Sequence, residues 1–163
     1  MMKLDINTPK GQQTLLDEQE AKKLFLAEFS DFQYVETPKD KPADIDAILT
    51  IADSVAGIVE TKCRYDMDID KFHRAYKSEW LLTFAKLEKI KAIAVSLRVP
   101  AFGFLYIVKS KTLLVQPLVD ENGEYCVDFY VKNTETRQNV NGGLINRENA
   151  YINMKNANVI KGE

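Results

Sequence analysis

Two short apolar runs joined by a three-residue break constrain this chain most. Residues 44–51 and 55–64 are rich in Val, Ile and Leu, and Ala52-Asp53-Ser54 lies between them. Runs of that length favour strands over helices, so the segment predicts a β-hairpin. Opposite charges interrupt the second run at Glu60 and Lys62. Side chains two apart on a strand share a face, so carboxylate and ammonium stand together in an otherwise buried setting. Burying them is costly unless a partner offsets the desolvation.

The hairpin also sets which side chains meet. With the turn centred on Ser54, Asp46 faces Lys62 and Ile48 faces Glu60. Asp46 and Glu60 are then diagonal neighbours on one face, roughly 7–8 Å apart at the backbone. Carboxylates at that spacing can share a divalent cation such as Mg²⁺ or Mn²⁺, which takes oxygen ligands. Slipping the register by one residue would send Asp46 to the other face. Beside a phosphodiester, a held metal ion would stabilise negative charge and activate water. Asp46, Glu60 and the Thr61 carbonyl are its candidate ligands. Lys62 is the candidate group for orienting water or neutralising phosphate.

The rest of the chain supplies a frame. Helical periodicity predicts a helix from about Gln12 to Phe29, after a breaker cluster at Thr8-Pro9-Lys10-Gly11. Phe32 to Glu36 reads as a short strand and Thr37 to Pro42 as a loop. A second helix is expected from about Ile69 to Val99, with a break near Tyr76 or Ser78, and Pro100 ends it. Trp80, Phe84, Leu87, Ala94 and Leu97 form its core stripe. Strands are expected at Phe102–Lys109, Thr112–Leu118 and Tyr125–Lys132, with one more short strand within Leu144–Met154. The order predicts an α/β or α+β fold with a mixed central sheet flanked by helices.

At 163 residues the chain suits a single domain. The expected core covers about residues 12–118, with a C-terminal β extension over about 119–163. No apolar run is long enough to span a bilayer, and the N-terminus lacks the apolar stretch of a signal peptide, so a cytoplasmic location is expected. Cys63 and Cys126 are expected as reduced thiols, and with His73 they make no zinc site of the usual kind.

Net charge is −2, but it is unevenly spread. Residues 1–61 carry net −6, residues 62–111 net +6 and residues 112–163 net −2. A basic middle suits a polyanion, although solvated helix faces would give the same tally. Within it, Lys71, Arg74 and Lys77 recur at threes as a possible basic ridge. Arg64 follows the charged strand and is a candidate contact for the scissile strand. His73 reads as a surface histidine, and Tyr65 and Tyr76 as base-stacking or packing groups. The run Asn139 to Tyr151, with its Asn141-Gly142-Gly143 break, reads as a turn and strand or as a ligand contact.

An acid on one strand, Asp46, followed by Glu60-Thr61-Lys62 on the next, resembles the PD-(D/E)xK motif of the restriction-endonuclease-like nuclease superfamily. Pro42 and Asp44 echo its Pro-Asp start out of strict register. The resemblance covers residues 12–118 in element order, and the whole chain looks like small phage-encoded members. It implies an Mg²⁺- or Mn²⁺-dependent nuclease acting on DNA, with RNA open. It implies a metal-binding acid on the first helix, with Glu20 as first candidate and Glu18 behind it, and a residue from the second helix, Lys86, that contacts phosphate or is merely solvated. Junction-resolving relatives work as dimers, so a homodimer is a further implication. The alternative is a catalytically silent module of the same fold that binds nucleic acid or a protein.

Overall fold

The computed structural model describes residues 8–39, 43–137 and 144–163. The first helix, α1 (Pro9–Glu28), starts inside the stretch expected to break it. Thr8 is its N-cap and accepts a hydrogen bond from the Gly11 amide at 3.0 Å. Pro9 takes the first helical position, where its missing N–H costs nothing and its fixed φ suits the turn. Asp17, Ala21 and Phe25 form its buried face.

Six strands make the main sheet: β1 (Gln33–Glu36), β2 (Ala47–Ile51), β3 (Ser54–Arg64), β5 (Ala101–Ile107), β6 (Thr112–Val119) and β9 (Asn158–Lys161), in the order β1-β2-β3-β5-β6-β9. The β3–β5 pair is parallel and the others are antiparallel. A parallel pair needs a long crossover. It consists of α2 (Ile69–Arg74), β4 (Glu79–Thr83) and α3 (Phe84–Leu97). The expected mixed sheet between helices is therefore present. β3 and β5 are largely buried, as a sheet covered on both sides requires. One core lies under α1 and includes Phe25, Val59, Phe104 and Leu113; the other lies under α3 and includes Ile58, Leu87, Leu105 and Leu118.

The helix expected over 69–99 is two helices with a strand between them. Asp68 caps α2 through a 2.7 Å hydrogen bond from the Lys71 amide, and Lys77 and Ser78 then take left-handed φ values of 55° and 59°. The chain turns into β4, so Trp80 reaches the core from a strand. Trp80 packs over Gly103, where a Cβ would collide with its ring.

β4 pairs with β8 (Leu144–Asn153), which pairs with β7 (Phe129–Arg137), in a second, three-stranded sheet. β7 starts later than expected, and β8 fills most of the segment given one short strand. β9 was not expected: its four residues, Asn158 to Lys161, alternate too briefly to signal a strand, and its pairing with β6 is wholly non-local. The Asn141-Gly142-Gly143 break lies outside the described residues. Among those described, no helix is long and apolar enough to cross a membrane, and Cys63 and Cys126 are both unbonded.

Candidate active site

The β2–β3 hairpin differs in register from the expected pairing. Its turn is the two-residue Ala52-Asp53, with φ of 47° and 66°, the left-handed pair that matches strand twist. Ser54 already pairs with Ile51, and Val55 with Thr50. A bulge at Ala56 then adds one residue, so Leu49 meets Gly57 and Ile48 meets Ile58. The register ends at Ala47–Val59. The Asp46 amide donates to the Val59 carbonyl at 2.9 Å, so Asp46 and Ala47 both face Val59, as in a bulge. Asp46 is therefore opposite neither Lys62 nor Glu60.

Asp46 lies just beyond the last paired residue of β2. Its Oδ2 accepts a 2.7 Å hydrogen bond from the Thr61 amide, which fixes the carboxylate in the gap that β2 leaves beside β3. Glu60 is 3% exposed. Lys62 Nζ lies 3.6 Å from its Oε1, and Lys86 Nζ, from α3, lies 3.5 Å from its Oε2. Oε2 has no hydrogen-bond partner at tighter range. Across the sheet, its β5 neighbour is Gly103, beneath Trp80. Lys86 is buried; neither sequence-derived role anticipated its pairing with Glu60.

The α1 acid that lies near Lys39 and Asp46 is Glu18, not Glu20. Glu20 is exposed and pairs with Lys23 at 3.4 Å. Two residues along a helix turn about 200°, so the two glutamates point nearly opposite ways. Glu18 lies three residues before Ala21 and seven before Phe25, on the buried side, and that spacing is the signal that could have ranked it first. Its Oε2 is 3.6 Å from Lys39 Nζ, whose other neighbour is Asp46 Oδ1 at 3.5 Å. Lys39, in the loop after β1, carries no sequence signal.

Electrostatics follow from this crowding. Burial, and then the charge of Asp46, push the Glu60 carboxyl up to about 7 against the pull of Lys62 and Lys86. Burial and Asp46 likewise push Glu18 up to about 7, against Lys39 and Lys62. Burial pulls Lys39 down, but Asp46 and Glu18 outweigh it and hold its pKa above the usual value. Burial is the main cause for both glutamates, and a divalent cation beside them would favour their charged forms. Their oxygens are the donor type that Mg²⁺ takes. Among the described residues, however, no three acids, histidines or cysteines already converge as a metal cluster; the carboxylates are joined through lysines.

The remaining candidates lie apart from the carboxylates. Arg64 donates to main-chain carbonyls of Cys63 and Leu81. Lys71 and Arg74 are exposed on α2, but Lys77 follows in the left-handed turn, so the three do not form one helical ridge. Among the described residues, none of these cations pairs with Glu18, Asp46 or Glu60. Asp44 is exposed beside Lys89, and Pro42 lies outside the described residues. His73 Nδ1 is bonded to Ser78 Oγ at 2.6 Å, and the Tyr65 hydroxyl donates to Thr14 at 3.0 Å.

No family model matches the chain, and no curated protein matches it at a significant level. Among solved structures it is similar to that of Archaeoglobus fulgidus Hjc, a Holliday junction resolvase from an archaeal hyperthermophile. Identity is 15%, the match covers 64% of this chain and 74% of that one, and the TM-score is 0.44.

Proposed function

We propose that the chain is a metal-dependent nuclease that hydrolyses DNA phosphodiesters at a PD-(D/E)xK-type site. One observation carries this reading: Asp46 accepts a 2.7 Å hydrogen bond from the amide of Thr61, next to the buried Glu60, with Lys62 at 3.6 Å from Glu60 and Glu18 brought to the same group from α1 by way of Lys39. Asp46, Glu60 and Glu18 would hold Mg²⁺ or Mn²⁺. Thr61 adds its carbonyl, which faces the same side of β3 as the amide bonded to Asp46. The bound ion would supply Lewis-acid stabilisation of the phosphate and an acidified water. Lys62, 42% exposed at its side chain, would orient that water or neutralise phosphate charge. Lys86 would keep Glu60 ionised and aimed, as a positioning residue behind it.

A second reading is favoured by one feature. Lys39, Lys62 and Lys86 already neutralise the three carboxylates, as they would in a silent module of this fold that binds nucleic acid or a protein. The deciding experiment incubates single strands, duplex, flap and four-way junction with Mg²⁺ or Mn²⁺. Nicks or breaks that require metal and fall at least about 100-fold in Glu60→Gln support the nuclease. Metal-independent binding without cleavage of any substrate would favour the silent module. The same panel repeated with RNA strands tests the choice of DNA over RNA, and sizing by light scattering tests the homodimer.

A further inference from the structure

β3 leads from Glu60 to Arg64, and beyond Arg64 the surface opens into a cavity of about 460 Å³. Trp80 and Leu105 line it, Tyr76 and Tyr151 contribute rings, and Lys77 reaches it from the turn after α2. That volume lies within the range of small-ligand sites. A neighbouring hollow of about 340 Å³ shares Lys77 and Tyr151 and adds Tyr130.

Three features of this trough bear on what it can hold. Arg64 is half-buried, yet its guanidinium reaches only two main-chain carbonyls, at 3.4 and 3.5 Å. Those are long hydrogen bonds, and most of its five N–H groups are unused. Burial lowers its pKa, which Asp66, farther off, only partly offsets, and among the described residues no carboxylate pairs with it. Next, Lys77 and Ser78 are consecutive non-glycine residues in left-handed backbone. The surrounding structure holds them there: the Ser78 amide donates to Phe72 at 3.0 Å and the Met154 amide donates to Ser78 at 2.8 Å. Backbone strain of this kind persists where its placement is over-determined, and here it sets Lys77 on the rim of both hollows. Finally, Tyr130 and Tyr151 stack in parallel, 4.9 Å between centroids and 8° between planes. Tyr130 and Tyr76 are 49% and 42% exposed.

We infer that this trough binds a single-stranded segment of nucleic acid, with a phosphate at Arg64 and Lys77 and bases against Tyr76 and the Tyr130–Tyr151 stack. Cations alternating with aromatic faces are what unpaired strands require, since every base has a face to stack. Asp66 and Glu79 share the lining, which disfavours bare phosphate and suits base amino groups as donors. The choice of nucleic acid over another aromatic anion rests on the nuclease reading of the adjacent site. Arg64 and Glu60 share a face of β3, about 13 Å apart at the strand's rise. A substrate spanning both would carry an unpaired strand next to the bond that is cut.

Fluorescence anisotropy in chelator, with a labelled DNA single strand of about ten nucleotides and a duplex of equal length, tests this without any cleavage. The single strand binds wild type more tightly than duplex does. Tyr76→Ala and Arg64→Gln each weaken it about fivefold or more, as loss of one stacking or charged contact would, and change duplex affinity by less than about twofold. Thermal melting reports folding of each variant. If Arg64→Gln melts early, Tyr76→Ala, altered at an exposed ring, decides alone. Unchanged single-strand affinity in Tyr76→Ala, or a wild-type preference for duplex, overturns the inference. Strand binding that survives without any metal-dependent cleavage would overturn the nuclease reading and leave the trough standing.

Discussion

Lys39 Nζ stands 3.5 Å from Asp46 Oδ1 and bridges it to Glu18 at 3.6 Å. A single ammonium thus sits between two acids that belong to different elements, α1 and the approach to β2. It neutralises charge that a divalent ion would otherwise meet.

Replacing it tests whether it competes with such an ion. Lys39→Met is expected to raise Mn²⁺ affinity about tenfold, the equivalent of 1.4 kcal/mol, measured by isothermal titration without nucleic acid. The full Coulomb energy of a pair at this range is larger, but side-chain motion and water screen a half-buried lysine. Equal or weaker Mn²⁺ binding in the variant would show that Lys39 does not occupy the ion's place.

The raised carboxyl values predict an unusual pH dependence. Glu18 and Glu60 both move up, from 4.5 to about 7. Between those pH values the folded chain holds more protons than the unfolded one, so stability falls as pH rises. The stabilisation is full below about 4.5 and gone above about 7, with about 3 kcal/mol for either group taken alone. Glu36 is shifted downward and pulls the other way, so the clean readout is a difference. Glu18→Gln is expected to lose less stability than wild type between pH 5 and pH 8 in urea titrations, about half the wild-type decrement. Identical slopes would mean that Glu18 is not perturbed.

The pair formed by Glu60 and Lys86, both nearly inaccessible, predicts a compensating double variant. Lys86→Met leaves a buried carboxylate with only half-exposed Lys62 beside it, at a cost of about 3 kcal/mol near pH 8. Adding Glu60→Gln removes the stranded charge and should recover most of that loss. Chemical denaturation of the two single variants and the double variant measures the coupling, and additive losses would show that the contact carries no energy.

Local chemistry made much of this readable in advance. Glu60 and Lys62 two apart on an apolar strand announced a shared face, and the Ala52-Asp53-Ser54 break announced the hairpin. The hairpin was legible but its register was not, and Asp46 leaves the ladder beyond Ala47–Val59, so the predicted pairing of Asp46 with Lys62 is not met. Where packing competes with periodicity, the reading failed: residues 79–83 fit a helical stripe, yet they form a strand because Trp80 covers Gly103 and β8 supplies their hydrogen-bond partners.

Sequence alone determined the first helix, the hairpin and the shared face of Glu60 and Lys62, since propensity and alternation act between near neighbours. Only the tertiary structure decided that Glu18 rather than Glu20 lies on the buried side, that Lys39 bridges it to Asp46, and that Lys86 is buried against Glu60. Those contacts join α1, the loop after β1, β3 and α3. Coulomb forces and desolvation depend on distance in space, and no separation along the chain encodes that distance.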